Sequence, residues 1–219
     1  MTKLSGPMVP PPSGIQPSHA VVLLHGYGSN GSDLIALAPP LQEALPHALF
    51  LAPNAPEPCQ GNPFGFQWFA LDYETDRVAN RQQGLPLAAP VLQEFLDDLW
   101  SQTAIAPERT ILAGFSQGAM MALHVGLSLE RRLMGIVAFS GAFVPPAGFG
   151  GGGLAQPPVC LVHGDHDEVV DPRFSAEAEA ALRSAGVQVS LHVCRGVTHG
   201  ISPDGLAFAI DFIRKEAGE

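Results

Sequence analysis

Apolar and polar positions divide the chain into two alternating kinds of segment. Continuous apolar runs, such as residues 20–26 (AVVLLHG) and 109–116 (RTILAGFS), are typical of strands that are buried on both faces. Between the runs lie segments whose apolar residues have helical spacing, such as residues 85–100 (LPLAAPVLQEFLDDLW). Because strands without a polar face need cover on both sides, the pattern predicts an α/β fold with a mostly parallel central sheet and helices on both faces.

The same criteria predict the remaining elements and the domain organisation. Pro39 and Pro40 should bend or split the helix that contains them. Residues 57–75, rich in aromatic side chains, are predicted to form a long loop. Residues 1–18 are rich in Pro, Ser and Gly and are predicted as an N-terminal arm with a short strand at 6–9 (GPMV), followed by a single domain at 19–219. The other strands are predicted at 48–56, 133–143, 157–164 and 187–196, and the other helices at 32–45, 117–130, 171–186 and 202–217.

Composition narrows the class of protein. The 219 residues are 46% hydrophobic and 15% charged, and they carry a formal net charge of -10, which disfavours a nucleic-acid partner. No apolar run approaches the roughly 20 residues of a membrane span, and the first residues lack the apolar core of a signal peptide. We therefore expect a cytoplasmic protein without stable membrane insertion. Cys59, Cys160 and Cys194 are odd in number and widely spaced, which argues against a disulfide framework and a zinc site.

A Gly-x-Ser-x-Gly motif at residues 114–118 lies between a predicted strand and a predicted helix. A sharp turn there would hold Ser116 in a strained conformation and present its hydroxyl above the sheet, while the glycines allow close packing. The alternative is that Ser116 is a helix N-cap between two packing glycines. The strand–turn–helix context favours a catalytic nucleophile.

A serine nucleophile needs a base, and the ends of later strands supply candidates. His199 lies in a loop after the last predicted strand, and Asp165 and Asp167 follow the preceding strand. The resulting chain order of Ser, Asp and His is that of the α/β-hydrolase fold. Spacing alone does not separate the two aspartates.

A metal cluster formed by these aspartates with His163 and His166 is the alternative interpretation of this segment. It is disfavoured because the two histidines lie on opposite sides of a strand end, and no Cys or Glu completes the set.

The glycine-rich turn at residues 25–31 (HGYGSNG) allows two interpretations. A Gly-x-Gly-x-x-Gly turn can hold a dinucleotide, but the second strand then normally ends in an acidic residue, and here it ends in LAPNAP. In a hydrolase, the backbone amides of Tyr27 and Gln117 would form the oxyanion hole. The missing carboxylate favours the oxyanion hole, with His25 in a structural role that orients the turn.

Six stretches together resemble the phospholipase/carboxylesterase family of small α/β-hydrolases, which includes the acyl-protein thioesterases. They are LLHGYGSNGSDL, FLAPNAP, QWF, AGFSQGAMM, HGDHDEVVDP and GVTHGIS, and they follow the family's order from about residue 18 to the C-terminus. The resemblance implies Ser116 as nucleophile, His199 as base and Asp167 as the orienting acid. It also implies the amides of Tyr27 and Gln117 as oxyanion donors.

The chain departs from this family after its Trp-Phe pair. The family usually continues with an acidic residue, whereas here Ala70 follows and the nearest acids are Asp72 and Glu74. Nearby aromatic side chains are candidates for an acyl pocket, and the alternative is that they fold inward and close the core. These candidate substrate-binding residues are Phe64, Phe66, Trp68 and Phe69.

The function expected from the sequence is hydrolysis of short- to medium-chain acyl esters or thioesters through an acyl-enzyme, with no metal or cofactor. A lysophospholipase or an acyl-protein thioesterase is the alternative within the family. A dinucleotide-dependent oxidoreductase, a non-catalytic binding domain, and a peptidase or dienelactone-type hydrolase are less favoured. The expected partner is a small acyl ester or thioester, and a homodimer stays open.

Overall fold

The computed structural model describes residues 3–12, 15–71 and 76–218. Within these ranges the strands are β1 (Met8–Val9), β2 (His19–Leu24), β3 (Ala48–Leu51), β4 (Glu57–Cys59), β5 (Asn62–Gln67), β6 (Thr110–Phe115), β7 (Gly135–Phe139), β8 (Val159–Gly164) and β9 (Val189–Cys194). The helices are α1 (Gly31–Leu34), α2 (Ala38–Gln42), α3 (Arg77–Thr103), α4 (Gln117–Gly126), α5 (Arg173–Ser184) and α6 (Pro203–Ala217), with 3-10 turns at Ile35–Leu37 and Pro107–Arg109.

The main sheet has seven strands in the order β1-β3-β2-β6-β7-β8-β9. All neighbours are parallel except β1, which runs antiparallel to β3 at the edge. Side chains of β2 alternate between two cores: Val22 packs on the face covered by α3, α4 and α5, and Val21 on the face covered by α1, α2 and α6. The α/β-hydrolase fold, with a mostly parallel sheet and helices on both faces, is therefore confirmed.

The split predicted for the helix that contains Pro39 and Pro40 is confirmed, whereas a second predicted helix begins earlier than expected. The segment 32–45 is split into α1, a 3-10 turn and α2, and Pro39 lies in the first turn of α2, where no intrahelical N–H is needed. The helix predicted at 85–100 begins earlier, at Arg77. Its first turns are polar, so apolar periodicity does not reveal them.

The long loop predicted at 57–75 was wrong over most of its described part. Strands β4 and β5 pair as an antiparallel hairpin with a register shift between Pro58 and Cys59. Proline, glycine and the shift interrupt the alternation by which strands are recognised. A bridge between Ser29 and Phe66 ties the hairpin to the turn after β2. Asp72 and Glu74, the nearest acids noted in the sequence, lie outside the described residues.

The N-terminal segment attaches to the sheet edge through backbone hydrogen bonds. Beyond the β1–β3 pairing, Ala52 N–H donates to Pro7 O at 3.0 Å, and Asn54 N–H donates to Ser5 O at 2.9 Å. The three cysteines are unpaired and buried. Among the described residues, no helix combines the length and apolarity needed to cross a bilayer.

Candidate active site

Ser116 occupies a strained turn at the carboxyl end of the central strand β6. Its backbone has φ 53° and ψ -116°, a conformation that non-glycine residues rarely adopt. A Cβ on Gly114 would overlap the backbone of Gly118, and a Cβ on Gly118 would overlap the backbone carbonyl of Leu24. The two flanking glycines are therefore required by packing. The N–H of Ser116 donates to Phe139 O at 2.8 Å, which fixes the turn on the neighbouring strand.

Asp167 and His199 are joined by a short hydrogen bond. His199 Nδ1 lies 2.7 Å from Asp167 Oδ2, and the aspartate side chain is fully buried. Burial opposes ionisation of this carboxyl, but hydrogen bonds from His199 and from the amides of Val170 and Val169 outweigh it and hold the pKa of Asp167 below its ordinary value. The carboxylate is therefore charged near neutral pH and orients the imidazole from behind.

Asp165 has a different role from Asp167. Its Oδ1 accepts a 2.6 Å hydrogen bond from Gly196 N–H, and its side chain is exposed. The amide of His166 donates to Val197 O at 3.0 Å. Asp165 therefore supports the start of the loop that carries His199, whereas Asp167 contacts the imidazole itself.

His163 is a contact of Asp167 that sequence reasoning did not identify. Its Nε2 lies 2.8 Å from Val170 O and 3.2 Å from Asp167 Oδ2, and its Nδ1 lies 2.6 Å from Ser175 Oγ. Because a carbonyl oxygen only accepts, Nε2 carries a proton, and Nδ1 shares a hydrogen bond with the serine hydroxyl. His163 is fully engaged by protein groups, so it positions Asp167 rather than joining a metal cluster with the exposed His166. Its place at the end of an apolar strand was the one available signal of burial.

A cavity of about 420 Å³ opens above the strand ends. The residues of its wall that matter here are Tyr27, Phe69, Arg81, Ser116, Gln117 and His199. The ring of Phe115, next to Ser116, lies 4.8 Å from the His199 imidazole between ring centroids. The structure thus brings the predicted nucleophile, base and oxyanion residues to one cavity, with Asp167 behind the base.

Gln117 links the helix after Ser116 to the β4–β5 hairpin. Its side-chain Oε1 accepts from Trp68 N–H at 2.8 Å, and its Nε2 donates to Phe69 O at 2.8 Å. Its backbone amide is the first of α4, where an N–H has no intrahelical acceptor. The side chain is therefore structural, while the main-chain N–H needs an acceptor outside α4.

His25 is enclosed beneath the glycine turn and fixes it to two neighbouring segments. The ring Nε2 accepts from Ala55 N–H at 2.9 Å, which leaves the proton on Nδ1, 2.8 Å from Gly26 O. Its backbone carbonyl accepts from Trp68 Nε1 at 3.0 Å. Burial lowers the pKa of His25, so the ring is neutral in the folded protein. This bonding supports the structural role expected for His25.

Stability is expected to fall as the pH drops below about 6.5, because the unfolded chain then binds a proton that folded His25 resists. The folded pKa lies below the unfolded one, so the unfolding free energy decreases with falling pH across that window, by up to about 1.4 kcal/mol per pH unit. Urea unfolding between pH 8 and pH 5 measures this slope. His25→Gln should flatten it, and His166→Gln, at an exposed position, should not. Equal slopes in all three proteins would contradict the assignment.

The four aromatic candidates lie in different environments. Phe69 is buried and lines the cavity, whereas Trp68 is 1% exposed and packs within the core. Phe66 is half-buried against His25, and Phe64 is 84% exposed at the hairpin surface. Of the four, the structure brings Phe69 to the cavity and does not bring the other three to its wall. The sequence left open whether these side chains form the pocket wall or the core. Phe69 lines the cavity, and its neighbour Trp68 packs in the core.

One group of potential metal ligands occurs in the described part of the chain. Ligand atoms of His192, Cys194 and Asp204 lie within 4.8 Å of one another. His192 Nε2 already pairs with Asp204 Oδ2 at 3.0 Å, and hydrogen bonds from Ser202 and His192 lower the pKa of Asp204 to about 2. We interpret this group as a contact between β9 and the first turn of α6.

Comparison with known proteins places these features in context. The chain matches the model of the phospholipase/carboxylesterase family over residues 11–217. It is 31% identical over 195 residues to esterase YpfH of Escherichia coli K12, covering 89% of this chain and 81% of YpfH. Acyl-protein thioesterase 1 of Saccharomyces cerevisiae is 31% identical over 215 residues, 92% of this chain and 94% of that relative. The crystal structure of esterase PE8 matches with a TM-score of 0.93 and 50% identity, covering 97% of this chain and 99% of PE8.

Proposed function

Because this chain belongs to the phospholipase/carboxylesterase family, we propose that Ser116, His199 and Asp167 form the catalytic triad of a carboxylesterase. The enzyme is a serine hydrolase that acts on carboxylic esters, as its relatives and the PE8 structure indicate. The observation that carries the assignment of residues is the shared cavity: Ser116 and His199 line it, and Asp167 bonds to the far side of the imidazole.

In the acylation step, His199 Nε2 accepts the proton of the Ser116 hydroxyl as Oγ attacks the ester carbonyl. Asp167 holds the Nδ1 proton in place and stabilises the imidazolium that forms. The C=O π electrons move onto oxygen, and the amides of Tyr27 and Gln117 stabilise the resulting oxyanion. Loss of one such donor typically lowers kcat by about 10²–10³.

Collapse of the tetrahedral intermediate expels the alcohol, which takes the proton from His199, and leaves an acyl ester on Ser116. Water then attacks this ester while His199 takes its proton, and collapse of the second tetrahedral intermediate returns that proton to Ser116 Oγ and releases the carboxylic acid. A thiol can leave in the same step. Thioesters are therefore the second candidate substrate class, favoured by the resemblance to an acyl-protein thioesterase. We also propose that the protein is located in the cytoplasm, as expected from the sequence.

A panel of p-nitrophenyl esters should show the highest kcat/KM for short to medium acyl chains. The cavity has a volume of about 420 Å³, and Phe69 forms part of its wall. Long chains would leave apolar surface in water, so they gain less binding energy per carbon. The measurement is kcat/KM from C2 to C16, with the corresponding thioesters in parallel.

Two matched variants of the hairpin locate the limit on chain length. Phe69→Leu should shift the optimum toward longer chains because it enlarges the cavity, whereas Phe64→Leu changes a side chain that is 84% exposed and should leave the optimum unchanged. A steady rise in kcat/KM from C4 to C16 in the unmodified enzyme would refute the short-chain preference.

A further inference from the structure

A buried arginine forms part of the cavity wall that contains Ser116 and His199. Arg81, near the start of α3, is 8% exposed and lines this cavity. Its guanidinium carbon lies 4.4 Å from the centroid of the Phe174 ring, and its Nε donates to Arg77 O at 3.0 Å. The stacked ring and the hydrogen bond hold the planar group in one orientation.

Most N–H donors of Arg81 have no acceptor among the described residues. A guanidinium has five N–H donors, and the described residues give Arg81 one acceptor, the carbonyl of Arg77. No carboxylate of these residues lies within ion-pair distance, whereas the neighbouring Arg173 pairs with Asp171 at 3.3 Å. Arg81 is one of the residues that line the cavity, so its side chain borders the space beside Ser116 and His199.

The electrostatics of this wall favour an anion. Burial lowers the pKa of Arg81, Asp76 opposes that change, and the cations Arg77 and Arg173 reinforce it. Arginine nevertheless stays charged at any working pH, so the cation is buried without an ion pair from the described residues. Arg77 also lines the cavity, and its Nη1 donates to Val169 O at 2.8 Å. Two cations therefore face one small cavity in a chain of net charge -10.

We propose that the ester cleaved at this site carries a carboxylate that binds to Arg81, with Arg77 adding to the positive field. The planar carboxylate matches the guanidinium fork, and binding would pair a cation that has no ion pair among the described residues. This inference rests on the proposed esterase function and specifies the substrate class of the same cavity. The substrates are monoesters of dicarboxylic acids, or hydroxy acids that are acylated on the hydroxyl group and keep a free carboxylate.

The test compares charged and neutral substrates of the same shape. For a charge on the acyl side, the pair is p-nitrophenyl hydrogen adipate and p-nitrophenyl methyl adipate. For a charge on the alcohol side, the pair is 4-acetoxybenzoate and its methyl ester. We expect kcat/KM for the charged member of at least one pair to exceed that of the neutral member by about tenfold or more, since hydrogen bonds to charged groups are the strong ones.

Variants assign the preference to the cavity. Arg81→Met should lower the charged-to-neutral ratio by about 10- to 100-fold, and Arg77→Gln should lower it less. Arg173→Gln removes a cation that also lies near Phe174, 5.1 Å from its centroid, but outside the cavity wall, so the ratio should persist. Added salt should lower kcat/KM for the charged substrate alone.

Two results would overturn the inference. One is equal kcat/KM within both substrate pairs for the unmodified enzyme. The other is loss of the ratio in Arg173→Gln to the same extent as in Arg81→Met. If Arg81→Met does not fold, as judged by circular dichroism, the Arg77→Gln ratio and the salt dependence decide the matter. Failure of the esterase proposal itself is distinct, because it would appear as neutral-ester turnover that does not depend on Ser116.

Discussion

Replacement of Ser116 by alanine is expected to lower kcat for p-nitrophenyl esters by roughly 10⁶-fold, since the whole covalent pathway depends on this hydroxyl. The fold should be retained. The strained backbone at φ 53° is imposed by packing of Gly114 and Gly118, and alanine adds no atom beyond those of serine. The measurement is steady-state kinetics of the purified variant, with circular dichroism as a check on folding.

A fluorophosphonate probe separates a lost nucleophile from general damage. The unmodified enzyme should form a stable adduct, located at Ser116 by mass spectrometry, and Ser116→Ala should not react. Ser140 provides a matched control, because it is also buried with positive φ at the end of the adjacent strand β7. Ser140→Ala should keep both labelling and turnover. Retention of more than about a hundredth of wild-type kcat by Ser116→Ala would exclude Ser116 as the nucleophile.

The substitution Asp167→Asn is expected to lower kcat by about 10⁴-fold with little change in structure. The amide oxygen can still accept from the backbone of Val169 and Val170, but the amide nitrogen then faces His199 Nδ1. An N–H donor at this position favours the tautomer with its proton on Nε2. That tautomer cannot accept a proton from Ser116.

Asp165→Asn is the matched control for this substitution. The two aspartates are two residues apart in one loop, yet Asp165 contacts Gly196 N–H, and asparagine keeps an oxygen for that bond. Its kcat should stay within about threefold of the wild-type value, as expected for an exposed hydrogen bond of modest net strength. A comparable loss of kcat in both variants would show that support of the loop, rather than orientation of the imidazole, explains the effect.

The architecture could be predicted from the sequence because it follows from a short pattern, the apolar run, that recurs along the chain. Apolar runs such as residues 20–26 can be satisfied only when both faces of a strand are covered, so the parallel sheet and its helices follow. The residues proposed for the triad were accessible for a related reason. Ser116, Asp167 and His199 each follow a strand, and parallel strands bring their carboxyl ends to one edge.

What the sequence did not reveal depends on contacts between distant segments. The β4–β5 hairpin was missed because proline and glycine obscure its alternation, and Trp68 and Phe69 are neighbours with different environments. Arg81 lies in a polar stretch, where an arginine ordinarily faces water, and only packing against Phe174 shows that it is buried. The different roles of Asp165 and Asp167 likewise depend on the position of the loop that carries His199.

The two hydrogen bonds from the Gln117 side chain to the hairpin have a consequence for reshaping this enzyme. The main-chain amide of Gln117 is proposed to stabilise the oxyanion. The side chain of the same residue bonds to the N–H of Trp68 and the carbonyl of Phe69. A hairpin taken from another enzyme could therefore change the substrate preference and still keep kcat under one condition. Its backbone must place an N–H and a carbonyl where the Gln117 side chain can bond to both. Changes to the hairpin part of the pocket wall can thus shift Gln117 and, with it, the proposed oxyanion hole.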